Sequence, residues 1–436
     1  MTPVQAESLP TILSGKDLIA QAKTGSGKTA AFGLGTLAKL NFKTYQPQAL
    51  ILCPTRELAD QVANALRQLA RTLPNVKILT LCGGVPVRSQ VKSLSHGAHI
   101  VVGTPGRIAK HLRKAYLTLE ALTTLVLDEG DRMLEMGFQE QLDAIIDAAP
   151  KKRQTLLFSA TYPPAIQSIA DRVMRNPQMV KVDADHDELT IKQHFYKVAN
   201  REERMTALRL LLLKHRPTSA VVFCNTKKDT MDVTDELLDF GFSALDLHGD
   251  LEQIDRDDTL ARFANKSVST LVATDVAARG LDIDSVDMVI NFFTSSNPEV
   301  HVHRIGRTGR AGDKGMACSL FSDKESFKMG KIGEYIGQEI VAEELPSKDV
   351  LNDDPVEPEM ASIKLRIGKK QKLRAGTLLG ILTGEDGIEG SQVGKIQIFD
   401  NLSYIAVKRE AVKQTLRKLS KESWKNRPIK AWKVGN

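Results

Sequence analysis

Thr124-Leu125-Val126-Leu127-Asp128-Glu129-Gly130-Asp131 places a short apolar, β-branched run directly against three carboxylates. Four or five such residues are too few for a helix core and suit a strand buried on both faces. Carboxylates at the carboxyl end of a buried strand lie where open α/β sheets put their ligand chemistry. The same kind of run recurs outward from this point at Ala49–Cys53, Ile100–Val102 and Thr155–Phe158. Helical periodicity separates the runs, as in Glu57–Ala70 and Gln139–Ala148. This alternation predicts a parallel sheet covered on both faces. The pattern restarts with Ala220–Cys224, Ala244–Leu247, Thr270–Ala273 and Met288–Asn291, after a polar stretch at Asp183–Thr190 that reads as a linker.

About a hundred residues before the acidic segment stands Ala22-Lys23-Thr24-Gly25-Ser26-Gly27-Lys28-Thr29. It fits a phosphate-cradling loop with Ala22 at the first glycine position. Glycines let backbone N–H groups close around phosphate oxygens, a lysine reaches the β- and γ-phosphates, and a Ser or Thr hydroxyl holds Mg²⁺. Alone, such a run is also a flexible turn, and the acidic segment alone is also a capped turn. Together they assign Lys28 to phosphate, Thr29 and Asp128 to Mg²⁺ (largely through water), and Glu129 to the attacking water. His303-Arg304-Ile305-Gly306-Arg307-Thr308-Gly309-Arg310 adds two arginines three apart, Arg307 and Arg310, suited to a triphosphate.

The 436 residues are 42% hydrophobic and 26% charged, a soluble globular mixture. No apolar run reaches the ~18 residues of a membrane span. The four cysteines are scattered without a CxxC pair, which speaks against a zinc site or disulfide framework and for a reducing cytoplasm. Charge is uneven. Residues 361–436 hold 17 Lys and Arg against 6 Asp and Glu, an excess of +11, so within a total of +7 the rest of the chain carries −4. Such asymmetry points to an appended module for a polyanion. Before it, the acidic, proline-bearing stretch Glu343–Glu359 reads as an exposed linker. After it, Ile363–Ile367, Thr377–Thr383, Lys395–Phe399, Tyr404–Val407, Arg409–Leu419 and Ile429–Val434 give a β-α-β-β-α-β order, that of a ferredoxin-like or RRM domain.

The ordered motifs resemble the DEAD-box family of ATP-dependent RNA helicases over nearly all of the first 325 residues. They are Thr2–Gln5, the phosphate loop, Pro54–Ala59, Gly83-Gly84, Thr104–Arg107, Asp128–Asp131, Ser159–Thr161, Val222–Thr226, Ala273–Asp282 and His303–Arg310. The resemblance implies two RecA-like parallel-sheet lobes, at 1–183 and 191–342, then an acidic linker at 343–360 and a small α+β RRM-like domain at 361–436. It implies that Gln5 reads adenine, that the loop Ala22 to Thr29, including Lys23, Thr24, Gly25, Ser26 and Gly27, holds ATP, and that Asp282 meets the ribose. Arg307 and Arg310 then reach the γ-phosphate, and Ser159, Thr161 and His303 couple nucleotide to RNA. Arg56, Gly84, Thr104, Arg107 and Thr274 line the RNA backbone.

The acidic linker, the C-terminal element order and Asn297–Arg304 resemble the bacterial DbpA branch. There the module anchors the enzyme to a hairpin of large-subunit ribosomal RNA, and the role is ribosome assembly. A cytoplasmic monomer, with ATP, Mg²⁺ and RNA as its partners and no membrane, is the resulting expectation. An alternative is an ATP-dependent RNA clamp with weak hydrolysis.

Three features depart from the family pattern. Gly130 replaces the family alanine, which predicts reduced but not abolished hydrolysis. Only four residues precede Gln5, so the upstream aromatic that stacks on adenine in the family is not in this sequence; either the chain is truncated or it binds ATP more weakly, and in the second case a raised KM for ATP is expected. The C-terminal module also lacks the usual stacking aromatics, and Tyr404 alone stands on its third strand. Lys364, Arg366 and Lys370 therefore point to a structured RNA read through phosphates and shape. Phe399 reads as core, and Trp424 and Trp432 fit either role.

Overall fold

The computed structural model describes residues 1–22, 25–182, 191–278, 286–309 and 315–435. These form two compact units, the first ending near residue 186 and the second holding almost all of the remainder. Asp183–Thr190, expected as a linker, lies outside the described residues.

In the first unit the strands are β1 (Leu18–Gln21), β2 (Ala49–Leu52), β3 (Ile78–Leu81), β4 (Ile100–Gly103), β5 (Thr124–Asp128), β6 (Gln154–Ser159) and β7 (Gln178–Lys181). All pair in parallel, in the order β3-β4-β2-β5-β6-β1-β7. Two separate apolar clusters cover the two faces, one around Phe32, Ile51 and Phe158, the other around Leu50, Leu125 and Leu157. Neighbouring residues of one strand thus enter opposite cores, the period of two that a doubly covered strand requires.

The second unit opens with another parallel sheet. Its strands are β8 (Ile191–Lys197), β9 (Ala220–Cys224), β10 (Ala244–Leu247), β11 (Thr270–Thr274), β12 (Met288–Asn291) and β13 (Gly315–Phe321), in the order β10-β11-β9-β12-β13-β8. The stretch from Glu343, expected as an exposed linker, is exposed at most of its positions and is fastened to this sheet at a few. The Glu343 amide donates to the Phe195 carbonyl at 2.7 Å, and its carboxylate meets His194 Nδ1 at 2.9 Å. Leu345, Val350 and Leu351 pack on the core around Val222 and Leu208. Those apolar residues, set among the acids, hold the segment down.

The unit ends with an antiparallel sheet of β14 (Met360–Leu365), β15 (Val393–Ile398), β16 (Ser403–Lys408) and, beyond a short hairpin of β17 (Ser423–Trp424) and β18 (Arg427–Pro428), β19 (Ala431–Lys433). The order is β15-β16-β14-β19. Helices Ala375–Thr383 and Val412–Lys421 cover one face over Ile363, Leu365 and Ile405. The fold is therefore two parallel α/β sheets followed by a small α+β domain, as the strand and helix patterning predicts. Among the described residues no helix is long and apolar enough to cross a membrane.

Candidate nucleotide site and RNA-binding surfaces

Strand β1 ends at Gln21, and the loop after it leads into the helix Lys28–Ala38. Gly25 and Gly27 turn the chain with φ of 85° and 95°, where a side chain is strained. A Cβ on Gly27 would lie 2.5 Å from Gln5 Nε2. Gln5 Nε2 in turn donates to the Gly27 carbonyl at 3.2 Å, and its Oε1 accepts from the Thr2 amide at 3.1 Å. Gln5 is thereby tied to the loop it is expected to serve. Lys28, 6% exposed, donates through Nζ to the Ala22 carbonyl at 2.9 Å. Among the described residues the buried Ser26 hydroxyl has no hydrogen-bond partner. A buried cation, an orphaned hydroxyl and a glycine turn too tight for a Cβ fit a phosphate chain. Thr29 follows at the second residue of the helix, while Lys23 and Thr24 lie outside the described residues.

The opposing carboxylates come from β5. Asp128 is buried, and burial raises its carboxyl to about 7; Glu129 adds to the rise and the Lys28 charge opposes it. Glu129 sits at φ 54°, ψ 54°, an αL conformation that costs a non-glycine residue about 1–2 kcal/mol. The strain turns the chain from strand into the helix Gly130–Glu135. Asp131 takes the opposite course to Asp128. Burial alone would raise it, but hydrogen bonds from Thr161 and Ser159 and the Arg132 charge hold it below the usual carboxylate range. Thr161 donates to Asp131 Oδ2 twice, from its amide at 3.0 Å and from Oγ1 at 2.8 Å, and the Asp131 amide donates to Ser159 Oγ at 3.3 Å. The acidic segment and Ser159–Thr161 thus form one hydrogen-bonded piece. Among the described residues no three His, Cys, Asp or Glu side chains group as a metal cage. A divalent ion held mostly by phosphate and water, with Asp128 and Thr29, suits this donor set.

Arg56, Gly84, Thr104 and Arg107 follow the carboxyl ends of β2, β3 and β4. Arg56 opens the helix Arg56–Leu69 behind the Thr55 cap. Arg107 Nη1 donates to the Val85 carbonyl at 2.8 Å and to Gln90 Oε1 at 2.9 Å. Gln90 is buried, donates to the Cys82 carbonyl at 2.9 Å, and also meets His111 Nε2 at 2.8 Å. The Gln90–His111 pair fixes Arg107 against the Gly83-Gly84 turn. Sequence reasoning missed both residues, since neither carries a local motif signal.

In the second unit Thr274 closes β11, and Asp282 and Arg310 lie outside the described residues. Arg307 is buried just after the helix Pro298–Ile305 that carries His303. The residue that organises this region is Arg304. Its Nε and Nη2 grip Asp275 at 2.6 and 2.7 Å, Nη1 donates to the Phe293 carbonyl at 2.6 Å, and Nη2 reaches Asn225 at 3.1 Å. A fork of five donors is the side chain that can do this. The pairing of Arg304 with His303 in the motif was the available signal.

The C-terminal basic residues divide. Arg366 and Lys370 are exposed, with Lys370 3.7 Å from Asp400. Lys364 instead donates to Asp258 Oδ1 at 2.8 Å, on the helix Gln253–Ala264 beside the second parallel sheet. Tyr404 Oη donates to the same oxygen at 2.7 Å. Ser362 Oγ meets Asn265 Nδ2 at 2.7 Å and Ser267 Oγ at 2.8 Å. The small domain is therefore bonded to that helix through the centre of its open sheet face.

A parallel-sheet nucleotide site joined to a hydrogen-bonded switch segment, in a chain that closes with a basic RRM-like module, defines a nucleotide-driven enzyme acting on RNA. Comparison with known families agrees. Residues 2–169 match the DEAD/DEAH box helicase model, 203–312 the helicase conserved C-terminal domain, and 362–433 the DbpA RNA binding domain. The chain is 53% identical over 412 residues to the ATP-dependent RNA helicase DbpA of Escherichia coli, covering 94% of this chain and 89% of that one. It is 37% identical to the Bacillus subtilis DbpA, covering 99% and 94%. Saccharomyces cerevisiae Dbp5, solved bound to RNA and ADP BeF3, superposes with a TM-score of 0.72 at 30% identity, over 80% of this chain and 93% of that one. The chain belongs to the DEAD-box ATP-dependent RNA helicases of the DbpA type, enzymes that hydrolyse ATP.

Proposed function

We propose that this chain is an RNA-dependent ATPase that opens short RNA duplexes locally, working on large-subunit ribosomal RNA through a hairpin held by its C-terminal domain. One observation carries the reading. Asp131, three residues beyond Asp128, accepts two hydrogen bonds from Thr161, so the segment that meets nucleotide cannot move without Ser159–Thr161. A motor needs such a link between nucleotide state and RNA.

In this reading Gln5 sets adenine, Lys28 and the loop amides hold the phosphates, and Glu129 orients the attacking water and takes its proton. Mg²⁺, held by Asp128 and Thr29, supplies charge neutralisation on the phosphates. Arg307 and Arg310 stabilise charge developing on the γ-phosphate. Arg56, Gly84, Thr104, Arg107 and Thr274 take the sugar–phosphate backbone, whose 2′-hydroxyl separates RNA from DNA. The target hairpin is supported by the matched DbpA RNA binding domain and by the charge excess of residues 361–436.

The test compares unwinding of one short duplex with and without a large-subunit ribosomal RNA hairpin in the same strand. Faster unwinding with the hairpin, at equal ATP, is expected. Equal rates remove the hairpin from the account, and no ATP-dependent unwinding of either favours the clamp.

A further inference from the structure

We infer that Trp432, with Arg366 and Lys430, forms a stacking site for one unpaired nucleotide beside the structured RNA. The inference rests on the reading of the C-terminal domain as an RNA-binding module and adds to it a second, single-stranded subsite.

The register puts the tryptophan on the open face. Lys364 lies opposite Tyr404 on one side and opposite Trp432 on the other, and directly opposed residues share a face. The neighbours Ile363 and Leu365 enter the helix-covered core, so Lys364, Tyr404 and Trp432 point the other way. The middle of that face is taken. Tyr404 is 1% exposed, with its hydroxyl on Asp258, and Ser362 is held by Asn265 and Ser267. No base can stack on Tyr404 while those bonds stand. Trp432 stands on the edge strand beyond this cover and is 42% exposed. The other tryptophan has a different job, since Trp424 donates from Nε1 to the Gln371 carbonyl at 2.9 Å and packs against the domain core.

The chemistry beside Trp432 selects an anion. The Arg366 amide donates to the Lys430 carbonyl at 3.0 Å, which makes these two residues the next rung of the same strand pair. Both side chains are exposed, and among the described residues neither takes part in an ion pair. Alternation returns them to the face that carries Trp432, one two-residue step away, about 7 Å along the strands. A nucleotide spans that distance between its base and a flanking phosphate. The nearby carboxylate of Asp258 is already engaged by Lys364, Tyr404 and Arg262. A half-bare indole flanked by two unpaired cations fits an aromatic ring tied to a phosphate, and base stacking of this kind tolerates any sequence. RRM sheets place such aromatics to stack bases. Here the aromatic lies on the last strand, because the helix Gln253–Ala264 and the residues just after it cover the middle of the sheet.

Intrinsic fluorescence tests the site on the full chain. The probes are an RNA hairpin with a five-nucleotide single-stranded flank and the same hairpin with blunt ends. The flanked hairpin should quench emission in the unsubstituted chain and in Trp424→Phe, with the quenching lost in Trp432→Ala. Trp432→Ala should weaken the flanked hairpin about tenfold and the blunt one less than about twofold. Trp432→Phe should keep most of the affinity, and equal melting temperatures for the variants would exclude misfolding as the cause. Binding of the flanked hairpin by Trp432→Ala as tightly as by the parent chain overturns the stacking site and leaves the RNA-binding module standing. Failure of the parent chain to bind either hairpin overturns both.

Discussion

Gly130→Ala restores the family alanine to the acidic segment, and its effect can be worked from the contacts. Gly130 opens the helix Gly130–Glu135 and has no positive φ, so alanine suits the backbone. Replacing a glycine in a helix with alanine is worth up to about 1 kcal/mol. Against this, the new methyl would lie 3.2 Å from Ile166 Cδ1 and 3.4 Å from Leu157 Cδ1. Both are the far ends of flexible side chains, so a shift of a few tenths of an ångström relieves them. A net gain of about 0.5 kcal/mol is expected, or 1–2 °C in melting temperature for a unit of this size.

Turnover is the sharper readout. The backbone freedom of glycine beside Glu129 costs roughly 0.5–1 kcal/mol when the carboxylate must hold one geometry, a factor of about two to five in rate. Steady-state ATPase at saturating RNA should therefore show kcat raised two- to fivefold, with KM for ATP nearly unchanged. A higher melting temperature with no gain in kcat would refute the idea that Gly130 limits Glu129. A lower melting temperature would show that the Ile166 contact wins.

Other perturbations follow from the same geometry. With its carboxyl near 7, Asp128 is partly protonated at neutral pH, so kcat/KM for ATP should climb as pH rises towards 7 and flatten above it; a profile flat from pH 6 to 8 contradicts this. Because that proton is bound in the folded state, the Asp128 contribution to stability should fall as pH rises through the same window, whereas that of Asp131, whose pKa is lowered, is present at neutral pH and is lost on acidification. Thr161→Val removes the 2.8 Å bond to Asp131 but keeps the amide bond, and should cut duplex unwinding at least about tenfold while basal ATP hydrolysis changes little; a proportional fall in both would argue against coupling through Asp131. Asp258→Ala leaves Lys364 and Tyr404 without their shared acceptor at a mostly buried contact, a loss of about 2 kcal/mol, and should speed hydrogen exchange in β14 and β16; unchanged exchange would mean the contact does not hold the domain.

The strands that were legible in the sequence are those buried on both faces, such as β2, β5 and β9, whose residues are almost all apolar. The edge strand β8, Ile-Lys-Gln-His-Phe-Tyr-Lys, alternates too much polarity to stand out, and β13 is built largely of small residues. The nucleotide loop and acidic segment were readable because each is contiguous in sequence. Gln90 with Arg107 and His111, and Asp258 with Lys364, were not, because the partners stand 17, 21 and 106 residues apart and meet only once the sheets are formed. The same distance hides the fate of Lys364, which reads as a free phosphate contact and lies on a carboxylate. The few anchors of the exposed acidic stretch were hidden for a related reason, since its charges are local and the core that receives Leu345 and Leu351 is not.

The most direct test of the central claim is ATP hydrolysis by the full chain in three conditions: without RNA, with unstructured RNA, and with a large-subunit ribosomal RNA fragment containing a hairpin. Glu129→Gln serves as the control. The account predicts strong stimulation by the ribosomal fragment and none in Glu129→Gln. Hydrolysis absent in every condition while RNA still binds would contradict it.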